Sequence, residues 1–177
     1  IEHGKYLARE GAGEVWNWES AAGKLRWQRR VKMLTSHLKT GDKVLEIGTG
    51  SIYQATVLAE MGAQVFTIER QKNLYEKTKQ FVLRSKYPNI KFFYGDGFEG
   101  LPTFAPFDKA IITAAAPFIP PKLIEQMKPG GKMVIPVDDE AGNFQRMLRL
   151  TKNADGSYSE EVFENFSFVP MLSGKKR

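Results

Sequence analysis

Short apolar segments alternate with amphipathic segments along the middle of the chain. The apolar segment Val44–Ile47 leads into a glycine-rich turn and then into a helical pattern over Tyr53–Met61. An apolar run with little polar alternation is typical of a parallel strand covered on both faces of its sheet. The same reasoning predicts strands at 44–47, 64–69, 90–94, 107–113 and 132–137, with helices at 53–61, 72–85 and 122–127.

Strands and helices that alternate at this spacing predict an α/β fold with a doubly wound, mostly parallel sheet and right-handed crossovers. The last part of the chain has a different pattern. Gln145–Thr151 and Ser157–Val169 are predicted as strands, and the segment between them contains Asp155-Gly156, which is a hairpin signal. We therefore expect antiparallel strands at the C-terminal edge of the sheet.

The residues ahead of the first strand predict a helical lead-in. Trp27, Val31, Leu34 and Leu38 recur with helical spacing and form one apolar face within 21–39. No segment rich in Pro or Gly divides the chain. We therefore expect a single domain over 1–177, in which 1–40 is the lead-in and 42–177 is the main body.

Composition excludes several classes of protein. The 177 residues include no Cys, which excludes disulfides and thiolate chemistry and fits a reducing compartment such as the cytoplasm. With only two His, a metal site would depend on carboxylates, and we expect no metal cofactor. No apolar run reaches the length of a membrane span. The net charge of +6 is assigned to solvated helix faces, and we expect no nucleic-acid partner because no RNA-binding signature accompanies it.

The candidate ligand site lies where the predicted strands end, because sheets of this kind bind ligands outside their carboxyl ends. Those ends carry the turn Gly48–Gly50, then Glu69, Asp96 and the segment that begins at Thr113. A carboxylate after the second strand is placed to accept hydrogen bonds from ribose hydroxyls. Asp96 could accept one from an adenine amine, and its flanking glycines are expected to leave room for a flat ring. Together these residues predict a nucleoside-containing cofactor.

Two residues of the first turn argue against a dinucleotide. The Gly-x-Gly-x-x-Gly fingerprint requires a third glycine where this chain has Tyr53. Glu46, just before the glycines, would also repel a pyrophosphate. An acid at that position instead suits a cationic ligand such as S-adenosyl-L-methionine, whose methionyl end carries an ammonium beside a sulfonium.

Four segments resemble the protein-L-isoaspartate (D-aspartate) O-methyltransferase family of class I S-adenosylmethionine-dependent methyltransferases. They are VLEIGTGSIYQATVLAEMGAQVFTIER (44–70), YGDGFEGLPTFAPFDKAIITAAAP (94–117), LIEQMKPGGKMVIPV (123–137) and FVPM (168–171). The resemblance implies a Rossmann-like class I methyltransferase fold with S-adenosyl-L-methionine as cofactor. It also implies methyl transfer to the side-chain carboxylate of L-isoaspartyl residues in damaged peptides and proteins, which is a repair reaction.

The resemblance further implies roles for individual residues. The turn would bind the methionyl part of the cofactor, the acid after the second strand its ribose, and the Gly-Asp-Gly segment its adenine. The segment after the fourth strand would form the floor where the substrate carboxylate meets the methyl group. The implied cofactor-binding residues are Glu46, Gly48, Thr49, Gly50, Ser51, Glu69, Arg70, Asp96 and Gly97, and the implied catalytic residues are Thr113, Ala114, Ala115 and Pro117.

Two positions depart from the family pattern. Family members carry an Ile-Ser-x-Pro-like segment whose serine contacts the substrate carboxylate, and residues 1–43 contain none. Ile52 stands where the family has glycine, which costs more than about 1 kcal/mol if the backbone there has positive φ. If the backbone there has the usual negative φ, the Ile52 side chain would pack in the protein without strain. The departures leave open a class I methyltransferase with another substrate, and a chimeric or engineered relative without activity.

Overall fold

The structure is a computed structural model that describes residues 37–84, 87–139 and 144–176. The helix predicted within 21–39 therefore lies almost entirely outside the described residues. So does most of the range 1–43, in which the family's serine segment is absent. Chain contacts define a compact unit over Gly41–Arg177, which carries all the elements described below.

Strands and helices alternate through the first part of this unit. The strands are β1 (Lys43–Ile47), β2 (Gln64–Glu69), β3 (Ile90–Tyr94), β4 (Phe107–Ile112), β5 (Met127–Asp138), β6 (Gln145–Lys152) and β7 (Tyr158–Phe166). The helices are α1 (Tyr53–Glu60), α2 (Lys72–Arg84) and α3 (Pro121–Glu125), with a 3-10 turn at Pro102–Phe104.

All the strands form one sheet in the order β3-β2-β1-β4-β5-β6-β7. The pairs from β3 through β5 are parallel, whereas β5-β6 and β6-β7 are antiparallel. The predicted doubly wound sheet with antiparallel C-terminal strands is therefore confirmed. Strand order reverses on either side of β1, so the switch point of the sheet lies at the carboxyl ends of β1 and β4, where such folds bind ligands.

The fifth strand begins earlier than its apolar pattern indicates. Met127 pairs with Phe107, and the register then shifts before Lys132 pairs with Lys109. The sequence of Lys128–Gly131 suggests a loop between a helix and a strand, but the chain stays at the edge of β4 and bulges out of register. Consequently α3 ends at Glu125, two residues before the predicted end.

The core covers both faces of the central strands. Leu45 and Phe66 lie in its interior, and Phe66 has its ring 5.6 Å from that of Phe107 in an edge-to-face arrangement. Helix α1 buries Ala55, Leu58 and Ala59. Val57 and the flanking Met61 are only half-buried.

Candidate active site

The glycine turn follows β1 and is hydrogen-bonded to the carboxyl end of β2. The amides of Gly48 and Thr49 both donate to the carbonyl of Ile68, at 3.0 and 3.2 Å. Gly48 has φ of 90°, and a Cβ built there would overlap the Oγ1 of Thr113. Gly50 has φ of 53°, and a Cβ built there meets nothing within 4 Å. The first glycine is therefore required by close packing, while the second borders open space in which a ligand can lie.

Glu46 points from the middle of β1 into a fully buried polar cluster. Its Oε2 accepts from the Thr67 hydroxyl at 2.5 Å, and its Oε1 accepts from the Gln54 amide at 3.2 Å. The Thr67 hydroxyl is in turn 2.6 Å from that of Thr49. Burial raises the pKa of Glu46 to about 8, a rise that the two donors oppose and the nearby Glu69 carboxylate reinforces. A cation bound at the turn would favour the ionised form.

Glu69 and Asp96 end neighbouring strands, and backbone amides hold both carboxylates. Glu69 is only 4% exposed, and it accepts from Gly50 N at 3.1 Å and from Gln71 N at 2.9 Å. Asp96 accepts from Phe98 N at 2.9 Å on Oδ1 and from Gly174 N at 2.6 Å on Oδ2. One bond per oxygen leaves each carboxylate further lone pairs with which to accept a ligand hydroxyl or amine.

The glycines beside Asp96 serve close packing rather than space for a ring. A Cβ on Gly97 would overlap the Cγ2 of Ile47 and lie 3.1 Å from the Cε of Met171. A Cβ on Gly95 would lie 3.2 Å from the Cγ2 of Ile68. The expectation that these glycines leave room for a flat ring is therefore wrong for the side on which a Cβ would stand, because the core fills that side.

The segment after β4 is tied to both the turn and the end of the chain. Thr113 places its hydroxyl 2.9 Å from Ile47 O and 2.8 Å from Gly48 O, so it can donate to either carbonyl. Ala115 is buried, and its N–H donates to Val169 O while its carbonyl accepts from Met171 N. Ala115 thus uses both backbone groups for pairing with the tail. Ala114 is half-buried and Pro117 is exposed, so these two residues face the accessible side of the floor.

The structure brings together nearly all of the predicted site residues at one edge of the sheet. The turn residues Gly48, Thr49, Gly50 and Ser51 follow β1, Glu69 and Arg70 follow β2, and Asp96 and Gly97 follow β3. Glu46 lies beneath the turn rather than on the accessible surface. Its contact with a ligand would therefore be electrostatic, through the turn.

Sequence reasoning missed Thr67, Gln54 and the C-terminal residues 169–176. Thr67 could have been found, because it is the direct parallel partner of Glu46 in the β1-β2 ladder and an acid in a covered strand needs a donor beside it. The position of 169–176 had no such signal. Among the described residues, no helix has the length and apolarity needed to cross a membrane, and no three acidic or His side chains cluster as a metal would require.

A sheet of this order, with a glycine turn after β1 and acids after β2 and β3, defines the class I methyltransferase fold. The family model of protein-L-isoaspartate (D-aspartate) O-methyltransferase matches residues 27–176, and the chain belongs to that family.

Individual relatives agree with this assignment. The chain is 52% identical over 135 residues to a protein-L-isoaspartate O-methyltransferase of Cytophaga hutchinsonii, a match that covers 76% of this chain and 60% of the relative. A solved protein-L-isoaspartate O-methyltransferase superposes with a TM-score of 0.75 at 25% identity, over 82% of this chain and 46% of the other.

A Plasmodium falciparum protein of that name, in a structure with S-adenosyl-L-homocysteine bound, shares the fold with a TM-score of 0.70. It is 22% identical, and the superposition covers 80% of this chain and 71% of that one. The chain thus spans about 60% of the length of the curated relative that it matches.

Proposed function

We propose that this chain transfers the methyl group of S-adenosyl-L-methionine to the side-chain carboxylate of L-isoaspartyl residues in damaged peptides and proteins. The observation that carries the proposal is the pair of carboxylates, Glu69 and Asp96, which backbone amides hold at the neighbouring ends of β2 and β3, next to the turn at Gly50. Two fixed acceptors beside a glycine turn suit the ribose and adenine of a nucleoside.

The residues fit this cofactor at its other end as well. Gly50 has open space where a side chain would stand, so a ligand can approach the backbone of the turn. Glu46 lies buried beneath the turn, where desolvation raises its pKa, and a positive charge nearby would offset that rise by favouring the carboxylate. The methionyl end of S-adenosyl-L-methionine carries that charge. A pyrophosphate would instead add negative charge above a buried acid.

Bound S-adenosyl-L-methionine supplies an activated methyl group on its sulfonium. The acceptor carboxylate is already ionised at neutral pH, so the chain needs no general base. What the chain provides is position and partial exclusion of water. Thr113 contributes most directly, because its hydroxyl and amide tie the floor after β4 to Ile47 and Gly48 at the turn. The distance between the cofactor side and the substrate side of the site is thereby fixed.

In this reaction the methyl ester that forms then loses methanol as the neighbouring peptide nitrogen attacks the ester carbonyl. The resulting succinimide takes up water and reopens partly to normal aspartate. Neither later step requires a side chain of the protein. The proposed partners are therefore isoaspartyl-containing peptides and proteins, without nucleic acid. A cytoplasmic location is part of the proposal, supported by a Cys-free composition that fits a reducing compartment.

The alternative is a class I methyltransferase with a different substrate. It is favoured by one observation, the absence from residues 1–43 of the family's serine segment that contacts the substrate carboxylate. An inactive relative is the other alternative, and it is favoured by the left-handed backbone at Ile52. The first alternative predicts cofactor binding without turnover of isoaspartyl peptide, and the second predicts neither.

The test is methylation of an isoaspartyl peptide with S-adenosyl-L-methionine labelled in its methyl group. The same peptide with normal aspartate is the substrate control. We expect base-labile label in the isoaspartyl peptide alone. Glu69→Ala should lower kcat/KM about tenfold or more, because it removes a charged acceptor of cofactor hydrogen bonds. Glu99→Ala is the matched control, since Glu99 is an exposed acid paired with Lys122 outside the site. Equal labelling of both peptides, or none, would refute the proposal.

A further inference from the structure

Residues 169–176, which we call the C-terminal strap, run along the carboxyl edge of the sheet, with isolated bridges at Pro170 and Lys176. Its first anchor is buried. Met171 is 7% exposed, packs against Gly97, and pairs through its amide with the carbonyl of Ala115 at 2.7 Å. Beyond Met171 the described residues of the strap are exposed. A second anchor is therefore needed to hold them on the protein.

Arg70 supplies the second anchor. Its Nε donates to Gly174 O at 3.1 Å, and its Nη2 donates to Ser173 O at 3.3 Å. Its own carbonyl accepts from Lys176 N at 2.8 Å. The planar guanidinium has donors in a fixed fork, so it can bind two successive carbonyls at once. Lys176 O also accepts from Lys72 N at 2.9 Å and from the Tyr94 hydroxyl at 3.1 Å, so the last described residues of the strap are held without the Arg70 side chain. The Arg70 fork fixes Ser173 and Gly174, which lie between that end and Met171.

The strap held in this way reaches a predicted cofactor residue. The amide of Gly174, whose carbonyl is bound by Arg70, donates to Oδ2 of Asp96 at 2.6 Å. Phe98 N already holds Oδ1 at 2.9 Å. With one donor on each oxygen, the plane of the carboxylate is fixed. Without Gly174, a single backbone donor would hold Asp96, and the carboxylate could turn about its side-chain bonds.

We infer that Arg70 is a positioning residue for the adenosine side of the site, which acts through the strap: it holds Gly174 so that the Gly174 amide orients Asp96. The inference rests on the proposed function for the identity of the ligand. It reassigns Arg70, which family resemblance alone places among the residues that touch the cofactor. In the structure its guanidinium donates to strap carbonyls instead.

The consequence is a division of roles between Arg70 and Asp96. An Asp96 carboxylate with a fixed plane accepts from an adenine amine without first losing rotational freedom. Loss of the Arg70 fork should therefore weaken adenosine binding. It should leave kcat at saturating cofactor nearly unchanged, because the floor after β4 and the buried anchor at Met171 do not depend on Arg70.

A double-mutant cycle in the full chain tests the inference. Arg70→Ala removes the fork, and Asp96→Ala removes the carboxylate on which the fork acts through the Gly174 amide. Each is compared with the unaltered chain for the Kd of S-adenosyl-L-homocysteine by calorimetry. Arg149→Ala is the matched control, because it removes an arginine from an ion pair with Glu161 on β6 and β7. Arg70→Lys keeps the charge but not the fork.

We expect Arg70→Ala to raise the Kd about threefold to tenfold and Asp96→Ala to raise it about tenfold or more, with Arg70→Lys between Arg70→Ala and the unaltered chain, and Arg149→Ala unchanged. Because both substitutions act on one contact, the double variant should be no weaker than the weaker single variant. Turnover should show a raised KM for S-adenosyl-L-methionine with kcat and the peptide KM nearly constant.

Multiplicative effects in the double variant would mean that Arg70 contacts the cofactor directly, and would overturn the inference. An unchanged Kd in Arg70→Ala would overturn it as well. Failure of the proposed function has a different signature: the unaltered chain binds S-adenosyl-L-homocysteine, and the cycle behaves as expected, but no isoaspartyl peptide is methylated. Absence of any binding by the unaltered chain would refute both.

Discussion

The turn after β1 and the C-terminal strap border the same site, but different forces hold them. The turn lies over a fully buried carboxylate, and its first glycine touches the end of β4, so its shape is part of the core. The strap after Met171 is exposed and is held by hydrogen bonds to Arg70 and Asp96. Substitutions in the turn should therefore cost folding stability, whereas those in the strap should affect ligand binding and leave the fold intact.

In the turn, a large loss of stability is expected from Gly48→Ala. Gly41→Ala is its matched control, because φ is 90° at Gly48 and 89° at Gly41, and a Cβ on Gly41 meets nothing within 4 Å. Strain at positive φ should cost each variant about 1 kcal/mol, and overlap with Thr113 should cost Gly48→Ala about 1–3 kcal/mol more. Urea unfolding measures both. Equal losses in the two variants would show that the turn is not in close contact with β4.

The pH dependence of stability tests the buried acid. The pKa of Glu46 rises from 4.5 to about 8 on folding, so the folded state holds a proton that the unfolded state loses between these values. Its contribution to stability is fully present below pH 4.5 and is lost as pH rises towards 8, at about 1.4 kcal/mol per pH unit.

Glu46→Gln should remove this dependence, because the amide does not titrate. Relative to the unaltered chain, the variant should gain about 2–3 kcal/mol between about pH 5.5 and pH 7.5, measured by urea unfolding at several pH values. Glu99→Gln, at an exposed acid, is the control and should show no such gain. Parallel stability curves for Glu46→Gln and the unaltered chain would mean that Glu46 is ionised within the fold.

Ile52→Gly has two opposing effects on stability. The backbone at Ile52 is left-handed, with φ of 61°, so of the two alternatives that the sequence left open the one with positive φ holds, and glycine would relieve about 1–2 kcal/mol. The side chain is 2% exposed, so its removal would cost about 2–5 kcal/mol. We expect a net loss of about 1–3 kcal/mol in the free energy of unfolding.

Affinity for S-adenosyl-L-homocysteine should change less than about twofold in Ile52→Gly, because the Ile52 side chain lies in the core and not in accessible space. A marked rise in affinity, measured by calorimetry, would instead mean that Ile52 crowds the cofactor.

The smallest effect on stability is expected in the exposed part of the strap, after Met171. Leu172 is half exposed, so Leu172→Ser should change the free energy of unfolding by less than about 0.5 kcal/mol. Met171→Ala, one residue earlier, should cost about 2–5 kcal/mol because Met171 is buried against Gly97. If thermal unfolding gave the two variants similar losses, the boundary between core and strap would not lie at Met171.

The fold was largely predictable because its signals are local. Each parallel strand is a compact apolar run, and the Asp155-Gly156 turn joins the last two strands as expected. The early start of β5 was not predictable, since it depends on Met127 pairing with Phe107, twenty residues away, against the local signal of Pro129 and two glycines. The local sequence pattern therefore predicts where a strand or helix is centred, but not the residues at which it begins and ends.

The site was predictable to the extent that it follows from strand ends. Glu69 and Asp96 lie where the ends of β2 and β3 place them. Whether Ile52 adopts positive φ was open, because the path of the turn and not the residue type decides it. The role of Arg70 was out of reach, since its partners Ser173 and Gly174 follow more than a hundred residues later and offer only backbone carbonyls.

The central place of β1 also determines how quickly its amides exchange with solvent deuterium. β1 pairs with β2 on one side and with β4 on the other, so its amides should exchange only when the whole domain unfolds. The amide of Gly174, on the exposed strap, should exchange by local opening many times faster. The proposed site therefore lies between slowly and quickly exchanging amides, and cofactor binding should be visible as protection at Gly174, through Asp96, long before it is visible in β1.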